Sequence, residues 1–492
     1  MTIRKQLLLK NGIAMAAAAL LIRCLGMVFR VFLADTIGAE GVGLYQLIMS
    51  VYLFFASVST AGMTLCATRL FGDLSAQGKH GQARFAVERC MIISFVGGTM
   101  VGAVMFFSAD FCAAVLLHER QAASALRLLS PSLPFMAVSA CVRGYFTARR
   151  KTLPTCLEQL LEQLIEMGIL VLVFAVSPPA NMEDTCCRAV AGTSAAELIS
   201  FVYSLLCYRW DIRKLCTARE KLPVLWKRLL PIGAPVTANA CLRSGLSAAE
   251  NALIPAGLRR SGSSSREALT AYGIISGMSM TVLVFPSVLI LPFAVLIIPE
   301  IADAAVLRRR NEIRHITERM FGMTLRYAVP VMFLLMFEAV PICKQLFGNE
   351  EAGVYLAILA PVIPFMYLDS VADGILKGLN EQTSYLIFNT IDSALRVLLT
   401  YLLLPVWGIY GVMAVIIISE LLNTLLSIGR LIRLTSFRIH FLEDFWRPAV
   451  CILLPCLLLR LLHLPIILHL VLAAFGYLLL LRLSKKVPGI SV

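Results

Sequence analysis

Long apolar runs recur along the chain, and nearly all of them are long enough to cross a membrane as a helix. Short polar segments rich in charged residues separate the runs. A helix needs about 20 apolar residues to span a bilayer, whereas strands of a membrane barrel alternate apolar and polar positions. The pattern therefore predicts an all-α polytopic membrane protein of about 14 transmembrane helices. The predicted spans are 11–34, 43–66, 90–109, 123–147, 153–177, 188–207, 229–256, 270–299, 320–342, 353–376, 384–404, 410–429, 448–463 and 465–482.

The composition agrees with this pattern. Of the 492 residues, 59% are hydrophobic and 15% are charged, against about 45–50% and about 25% in soluble domains. These values exclude a soluble enzyme and a disordered chain. Most of the 14 cysteines lie in or beside apolar runs, where cysteine acts as a small apolar residue, so a disulfide framework is excluded too.

Lysine and arginine concentrate in alternate loops, which fixes the predicted orientation. The most basic segment is 208–228, between spans 6 and 7. Cytoplasmic loops carry the excess of positive charge, and an even number of spans places both termini on one side. The sequence therefore predicts a multi-pass protein of the cytoplasmic (inner) membrane with both termini in the cytoplasm. The basic linker is expected to lie against anionic lipid headgroups.

The two halves of the chain resemble each other at a constant offset of 230 residues. The motif Pro-x-x-Pro-Phe-Met occurs at 131–136 and again at 361–366, and the same offset aligns Gly144 with Gly374. Because each half has six spans, the predicted repeats are parallel, as in transporters with two lobes. The predicted domains are an N-terminal six-helix lobe (1–207), a cytoplasmic linker (208–228), a C-terminal six-helix lobe (229–432) and a C-terminal hairpin of spans 13 and 14 (433–492).

Arginines inside the predicted spans are the first candidate site residues. Arg23 and Arg30 lie seven residues apart on span 1, which places them on one helix face; Arg143 lies on span 4 and Arg243 on span 7. A charge at the bilayer centre costs about 2.5–3.5 kcal/mol on the insertion scale, so it faces a cavity or a partner. One interpretation is a cationic cavity for an anionic substrate; the other is pairing with carboxylates of neighbouring helices.

Acidic residues inside the spans form the second candidate set. Glu158, Glu162 and Glu166 follow one another at intervals of four on span 5, which makes one acidic stripe. Glu250 on span 7 is a candidate partner of Arg243. Three like charges on one face would be very unfavourable in lipid, so this face must meet water, cations or arginine. Ion coupling, substrate contact and a structural ladder of ion pairs all remain open.

The chain has no pattern typical of an enzyme. It contains no Walker loop, no H-E-x-x-H, no G-x-S-x-G and no zinc-ligand spacing. We therefore expect a protein that is not an enzyme and has neither a cofactor nor a metal.

Several motifs together resemble the polysaccharide exporters related to stage V sporulation protein B. They are Arg23-x-Leu-Gly-x-x-x-Arg30, Ile37-Gly-Ala-Glu-Gly-Val-Gly-Leu-Tyr45, Arg143-Gly-Tyr-Phe146, Glu158-Gln-x-x-Glu162-Gln163, Tyr272-Gly and Gly374-Ile-Leu-Lys-Gly-Leu379. The resemblance covers essentially the whole chain. It implies the multidrug/oligosaccharidyl-lipid/polysaccharide flippase superfamily, which includes lipid II flippases. In those flippases, arginines of the first span face a central cavity and meet the substrate diphosphate, and Arg23 matches such a position.

The resulting hypothesis is a flippase that moves an undecaprenyl-diphosphate-linked saccharide, foremost a peptidoglycan precursor, by alternating access. Arg23, Arg30, Arg143 and Arg243 are its expected substrate-binding residues. Its expected partners are the lipid-linked oligosaccharide, the bilayer and cell-wall synthesis proteins, but no nucleic acid. The main alternative is a cation-coupled multidrug antiporter of the same superfamily. A third class, a scaffold without transport in a sporulation complex, predicts that neutralising the charges inside the spans has little effect.

Overall fold

The computed structural model describes residues 3–176, 181–214, 220, 225–460 and 465–484. Every regular element in these ranges is helical, as the apolar pattern predicts. The α-helices are α1 (Ile3–Ala76), α2 (His80–Phe111), α3 (Ala122–Leu129), α4 (Ser132–Ala148), α5 (Leu153–Val176), α6 (Met182–Arg213), α7 (Leu225–Arg260), α8 (Ser265–Tyr272), α9 (Met280–Val284), α10 (Leu291–Val306), α11 (Arg310–Phe347), α12 (Glu350–Leu359), α13 (Ile363–Gly378), α14 (Gln382–Thr435), α15 (Arg447–Arg460) and α16 (Ile466–Ser484).

Two of these helices each contain two predicted spans. Helix α1 has a kink at Gly38 (φ 67°, ψ 177°), and α14 has one at Gly408 (φ 54°, ψ −131°). At 1.5 Å per residue, the 74 residues of α1 would extend about 110 Å, far beyond the roughly 30 Å of a hydrocarbon core. Both glycines have backbone angles that residues with a side chain rarely adopt. Gly38 separates spans 1 and 2, and Gly408 separates spans 11 and 12.

Local sequence signals explain several helix ends. Ser264 and Glu267 form a capping box at the start of α8: the Glu267 amide donates to Ser264 Oγ, and the Ser264 amide donates to Glu267 Oε2 at 2.9 Å. The Asn349 side chain accepts from the Ala352 amide at 2.9 Å and caps α12. Gly348 ends α11 in the left-handed conformation. These contacts satisfy backbone groups that a helix end leaves open.

The repeated proline motif interrupts the helix in both halves. Helices α3 and α4 meet at a 44° bend around residues 130–131, so predicted span 4 is a broken helix. At the equivalent place in the second half, a 3₁₀ turn at Ala360–Val362 separates α12 from α13. Proline lacks an amide hydrogen and collides with the preceding turn, which explains why both breaks occur here.

Seven helical segments in the described ranges are long and apolar enough to cross a membrane, and the bent pair α3–α4 makes an eighth. Some of the seven are runs of consecutive helical elements, such as Ser265–Leu289 and Glu350–Gly378. Helix α14 is counted once although it contains two predicted spans. These helices show a multi-pass membrane protein.

The predicted linker is helical at both of its ends. Helix α6 continues into it as far as Arg213, and helix α7 begins within it at Leu225. Residues 215–219 and 221–224 of the linker lie outside the described ranges.

The chain divides into two compact units. The first comprises the chain up to Ala256 together with Ser264–Gly273, and the second comprises Gly257–Ser263 with the chain from Ile274. Helix α7 belongs mostly to the first unit because it packs on α1; Cys66 Sγ lies 3.6 Å from the Leu229 carbonyl oxygen. This grouping differs from the predicted lobes, which assign 229–256 to the second half. The lobe boundaries remain a prediction.

The C-terminal helices α15 and α16 pack on α11 in the second unit. Arg326 of α11 donates to Asp444 Oδ1 through Nε at 3.0 Å and through Nη2 at 2.8 Å. Tyr477 of α16 donates to the Arg326 carbonyl oxygen at 2.6 Å. One arginine residue therefore contacts both ends of the hairpin. The predicted division between spans 13 and 14 lies at 463–465, and its residues 461–464 are outside the described ranges.

Equivalent contacts occur in both halves at the offset of 230. A Cβ on Gly144 would lie 2.4 Å from the Thr64 carbonyl oxygen, and a Cβ on Gly374 would lie 2.5 Å from that of Ala294. The ion pair Arg84–Glu88 (3.0 Å) likewise corresponds to Arg314–Glu318 (2.8 Å). These matches support the predicted internal repeat. The arrangement of the two repeats as parallel six-helix lobes remains a prediction.

We expect Gly144→Ala to lower the thermal unfolding midpoint of the purified protein by several degrees. The new methyl group would force α4 away from α1, and overpacking of this kind costs about 1–3 kcal/mol. Gly97→Ala on α2 is the matched control, because nothing lies within 4 Å of its added Cβ. Differential scanning fluorimetry in detergent would measure both variants. Equal midpoints for the two variants would show that the close approach at Gly144 does not limit packing.

Candidate functional site

A polar cavity of about 360 Å³ lies inside the first unit, among α1, α4, α5 and α6. A water molecule occupies about 30 Å³ in the liquid, so the cavity has room for several waters or for a small polar group. One arginine, three glutamates and two glutamines supply most of its lining. The lining residues are Ile22, Met136, Arg143, Gln159, Glu162, Gln163, Glu166 and Glu197.

The acidic side of the cavity comes from α5. Glu162 and Glu166 both line the cavity, one helical turn apart, as the stripe of span 5 predicts. Glu158, one turn earlier, is almost completely buried. Gly192 of α6 explains the close approach of α6 to α5, since a Cβ there would lie 2.9 Å from the Glu166 carbonyl oxygen.

Arg143 and Glu158 form an ion pair at the cavity wall. Arg143 Nη1 donates to Glu158 Oε1 at 3.0 Å; the side chain of Glu158 is 2% exposed and that of Arg143 is 23% exposed. Glu158 also has a side-chain hydrogen bond with Ser204 of α6. Removing one member of a buried pair leaves the other charge uncompensated, which typically destabilises a protein by about 3–5 kcal/mol. Arg143 is therefore held in place by Glu158 while it lines the cavity.

Glu162 of α5 and Glu197 of α6 line the same cavity. Glu197 is 3% exposed, and its Oε2 has no hydrogen-bond partner among the described residues. Two close carboxylates repel each other strongly when both are ionised. The cavity therefore brings together acidic side chains from two neighbouring helices.

Thr193 of α6 contacts Glu166 beside the cavity. Its Oγ1 donates to Glu166 Oε1 at 2.6 Å. Arg30 of α1 is exposed in the described structure.

Arg23 and Arg30 do not line the cavity, although their helix does. Ile22 is a lining residue, and a Cβ on Gly26 would lie 3.9 Å from Gln163 Oε1. At 100° per residue, Arg23 and Arg30 both lie within about 60° of Gly26 around α1. The structure thus places the two arginines beside the face of α1 that borders the cavity.

Arg243 and Glu250 lie on α7 and are both part-buried. Neither belongs to the cavity lining. The structure therefore brings together Arg143, Glu162 and Glu166 of the predicted set, with Glu158 behind Arg143. The pairing of Arg243 with Glu250 remains a prediction.

The second unit has its own polar cluster, which is paired internally. Arg396 contacts Asp392 at 3.4 Å and Glu420 at 3.0 Å. Asp369 accepts hydrogen bonds from Asn423 Nδ2 and Ser427 Oγ, both at 2.9 Å. Across the described ranges, no group of three or more His, Cys, Asp or Glu side chains has the geometry of a metal site.

Glu197 is an acid of the cavity lining that the sequence reasoning missed. It is an acid in the middle of predicted span 6, between Ala196 and Leu198. The rule that identified the acids of span 5, a charge within an apolar run, would also have identified Glu197. The pairing with Glu162 had no sequence signal, because it depends on how α5 and α6 pack.

Comparisons with known proteins assign the family. The family model described as polysaccharide biosynthesis protein matches residues 8–305, which is more than half of the chain. The chain belongs to the polysaccharide biosynthesis protein family. The MatE family model also matches residues 261–402 of this family member. The resemblance to the multidrug/oligosaccharidyl-lipid/polysaccharide superfamily is confirmed, and this polysaccharide biosynthesis protein is a flippase or transporter of that superfamily.

Individual relatives agree with the family. Stage V sporulation protein B of Bacillus subtilis (strain 168) is 24% identical over 457 residues, which cover 91% of this chain and 88% of that protein. Among solved structures, a lipid II flippase MurJ in an inward closed conformation has a TM-score of 0.73 at 13% identity, covering 96% of this chain and 99% of that one. An inward-facing multidrug resistance MATE transporter has a TM-score of 0.66 at 14% identity, covering 86% and 99%. The two structures show the shared fold.

Proposed function

We propose that this protein flips an undecaprenyl-diphosphate-linked saccharide, the peptidoglycan precursor lipid II, across the cytoplasmic membrane by alternating access. The observation that carries the proposal is the polar cavity within a bundle of apolar helices, lined by Arg143 and bordered by the face of α1 beside Arg23 and Arg30. A bilayer does not pass a charged, sugar-bearing headgroup, so such a headgroup needs a hydrated route. The cavity offers a polar route lined by one cationic group, Arg143, with Arg23 and Arg30 beside the neighbouring face of α1.

The arginines suit a diphosphate for a chemical reason. A guanidinium stays charged at physiological pH and presents a planar fork of N–H donors that bind phosphate oxygens in pairs. Glu158 accepts from one N–H of Arg143 at 3.0 Å and orients the group. We assign the remaining donors of Arg143 and the groups of Arg23, Arg30 and Arg243 to the phosphates.

The membrane potential can drive this movement without nucleotide hydrolysis. An inside-negative potential favours outward movement of an anion by about 2.3 kcal/mol per charge per 100 mV. The proposal places both termini in the cytoplasm, since the basic loops between alternate spans belong on that side. Its lipid-linked cargo agrees with the name of one structural relative, a lipid II flippase.

Purified protein in liposomes that contain fluorescent lipid II would test the proposal. We expect headgroups of the inner leaflet to become accessible to an external modifying reagent at a rate well above that of protein-free liposomes, and faster when the interior is made negative. Rates equal to those of protein-free liposomes under both potentials would contradict the proposal.

A cation-coupled multidrug antiporter is the second candidate, and the acids Glu162 and Glu197 in the cavity lining favour it. Acidic side chains that can bind a cation are what cation-coupled export requires, and MATE transporters share the fold. The embedded arginines argue against organic cations as cargo. Uptake of a fluorescent organic cation by inverted vesicles under a proton gradient would decide between the two, because only the antiporter accumulates it.

A further inference from the structure

One wall of the polar cavity is a continuous polar face of α5. Four side chains of this helix line the cavity, at positions 159, 162, 163 and 166. At 100° per residue these positions fall within an arc of about 100°, and at 1.5 Å per residue they extend about 10 Å along the helix. Gln159, Glu162, Gln163 and Glu166 therefore form one strip of amides and acids, which we call the α5 face.

The cavity lining suits an uncharged polar group better than it suits a second anion. It has three carboxyl groups, those of Glu162, Glu166 and Glu197, and one guanidinium. That guanidinium, of Arg143, already pairs with Glu158 at 3.0 Å. A carboxyl group can accept a hydrogen bond from a hydroxyl whether it is ionised or protonated. An ionised carboxylate, however, repels a phosphate or another carboxylate.

Glu197 supplies an acceptor oxygen that the described part of the protein does not use. The residue is 3% exposed and lines the cavity, and its Oε2 has no hydrogen-bond partner within the described ranges. Buried polar atoms in proteins are nearly always hydrogen-bonded, so this oxygen calls for a donor inside the cavity. A hydroxyl group of a ligand can be that donor. Glutamine at position 197 would keep an acceptor oxygen, so the contact does not require the charge.

The other lining groups complement the surface of a sugar. Gln159 and Gln163 lie one helical turn apart, and each carboxamide has an acceptor oxygen and two N–H donors. They can bind hydroxyl groups or the C=O and N–H of an N-acetyl group. Gly26 leaves space opposite Gln163, whose Oε1 would lie 3.9 Å from a Cβ at that position. Ile22 and Met136 add apolar atoms, against which the C–H groups of a ring can pack.

The size of the cavity and the position of its cation define how much of a headgroup fits there. A volume of about 360 Å³ lies at the small end of the range of about 300–1,000 Å³ for ligand pockets, so it suits one sugar ring. Arg143 pairs with Glu158, which directly precedes the α5 face. Glu166 lies at the other end of that face, where Thr193 donates to it at 2.6 Å. A phosphate at the cationic end would place the attached sugar along the α5 face.

We propose that the α5 face is a saccharide subsite that selects an uncharged sugar ring attached to a diphosphate. The amides of Gln159 and Gln163 and the acids of the lining hydrogen-bond the ring, while the arginines hold the phosphates. A ring that carries a carboxylate is rejected, because Glu162 and Glu166 repel it. This inference rests on the proposed function for the link between the sugar and the diphosphate.

Native mass spectrometry of the purified full-length protein in detergent would test the subsite. Three lipids with one short polyprenyl chain would be compared: the diphosphate alone, the diphosphate with N-acetylglucosamine, and the diphosphate with N-acetylglucosaminuronic acid. We expect the N-acetylglucosamine lipid to bind at least tenfold more tightly than the other two, since a site built to bind polar groups discriminates strongly against ligands that lack them. Equal binding of the three lipids would overturn the proposal.

A double variant tests the amides. Gln159→Leu, Gln163→Leu removes both carboxamides and keeps a good helix former at each position. It should bind the N-acetylglucosamine lipid and the sugar-free lipid equally. The matched control Gln345→Leu, Gln382→Leu changes two exposed glutamines outside the cavity lining and should keep the tenfold preference. The same preference in both double variants would overturn the proposal.

A charge variant tests the rejection of acidic sugars, and it decides the matter if the leucine variant binds no lipid at all. Glu166→Gln removes one carboxylate and keeps an acceptor oxygen for Thr193. Discrimination between the N-acetylglucosamine and N-acetylglucosaminuronic acid lipids should fall at least threefold, and unchanged discrimination would overturn the proposal. Sugar-selective binding without flipping in liposomes would contradict the flippase and support the subsite. Flipping without sugar-selective binding would overturn the subsite and leave the flippase.

Discussion

Arg23→Ala should reduce lipid II flipping in liposomes by ten- to a hundredfold while the protein still folds and inserts. The proposed contact is a charge-assisted hydrogen bond between a guanidinium and a phosphate, and such bonds contribute about 1.5–3 kcal/mol. Arg23 lies beside the cavity-facing positions Ile22 and Gly26 of α1. The loss should appear in the initial rate of headgroup exposure at equal protein density.

Two further variants give this measurement its controls. Arg23→Lys keeps the charge but loses the planar fork of donors, so it should retain an intermediate rate. Arg308→Ala removes an exposed arginine from the turn between α10 and α11 and should flip at the normal rate. Normal flipping by Arg23→Ala would show that Arg23 serves only to neutralise its neighbours, and the proposed diphosphate site would lose its first residue.

The fold was predictable because its signal is local. An apolar run of about 20 residues identifies a membrane helix without any knowledge of its neighbours, and each predicted span lies in a helical part of the described chain or continues into residues outside it. Helix ends were less predictable. Helix α6 continues beyond its apolar run to Arg213, and helix α7 begins before its apolar run, at Leu225. Polar residues in a helix give no hydropathy signal, so these extensions were not predicted.

The joining of spans was also hidden from the sequence. Gly38 and Gly408 allow two spans to follow each other within one helical element, through backbone angles that no composition rule reports. By contrast, the breaks at residues 130–131 and 360–362 have a local cause, because they lie at the repeated proline motif.

The candidate site was predictable only in part. The stripe of Glu158, Glu162 and Glu166 follows from the helical period alone. The partners do not: Arg143 of α4 pairs with Glu158 of α5, and Glu197 of α6 lines the same cavity as Glu162 of α5. Such pairs depend on how helices rotate against each other, which a single sequence does not specify.

Glu197→Gln should abolish the response of transport to a proton gradient. Gln has the size of Glu and can donate a hydrogen bond to Glu162, so packing between α5 and α6 should persist. The amide of Gln cannot gain or lose a proton, so position 197 could no longer titrate. We expect any stimulation of flipping by an imposed pH gradient, at zero membrane potential, to fall at least tenfold in this variant.

Measuring flipping driven by the membrane potential in the same variant separates a loss of proton response from a general loss of transport. Glu197→Gln should still respond to an inside-negative potential, because Arg23 and Arg143 remain to carry the anionic cargo. Glu350→Gln, an exposed acid paired with Lys344, is the matched control and should keep both responses. A full pH response in Glu197→Gln would make the pair of Glu162 and Glu197 a structural contact. The flippase proposal would survive that result, whereas the antiporter alternative would lose the site on which it depends.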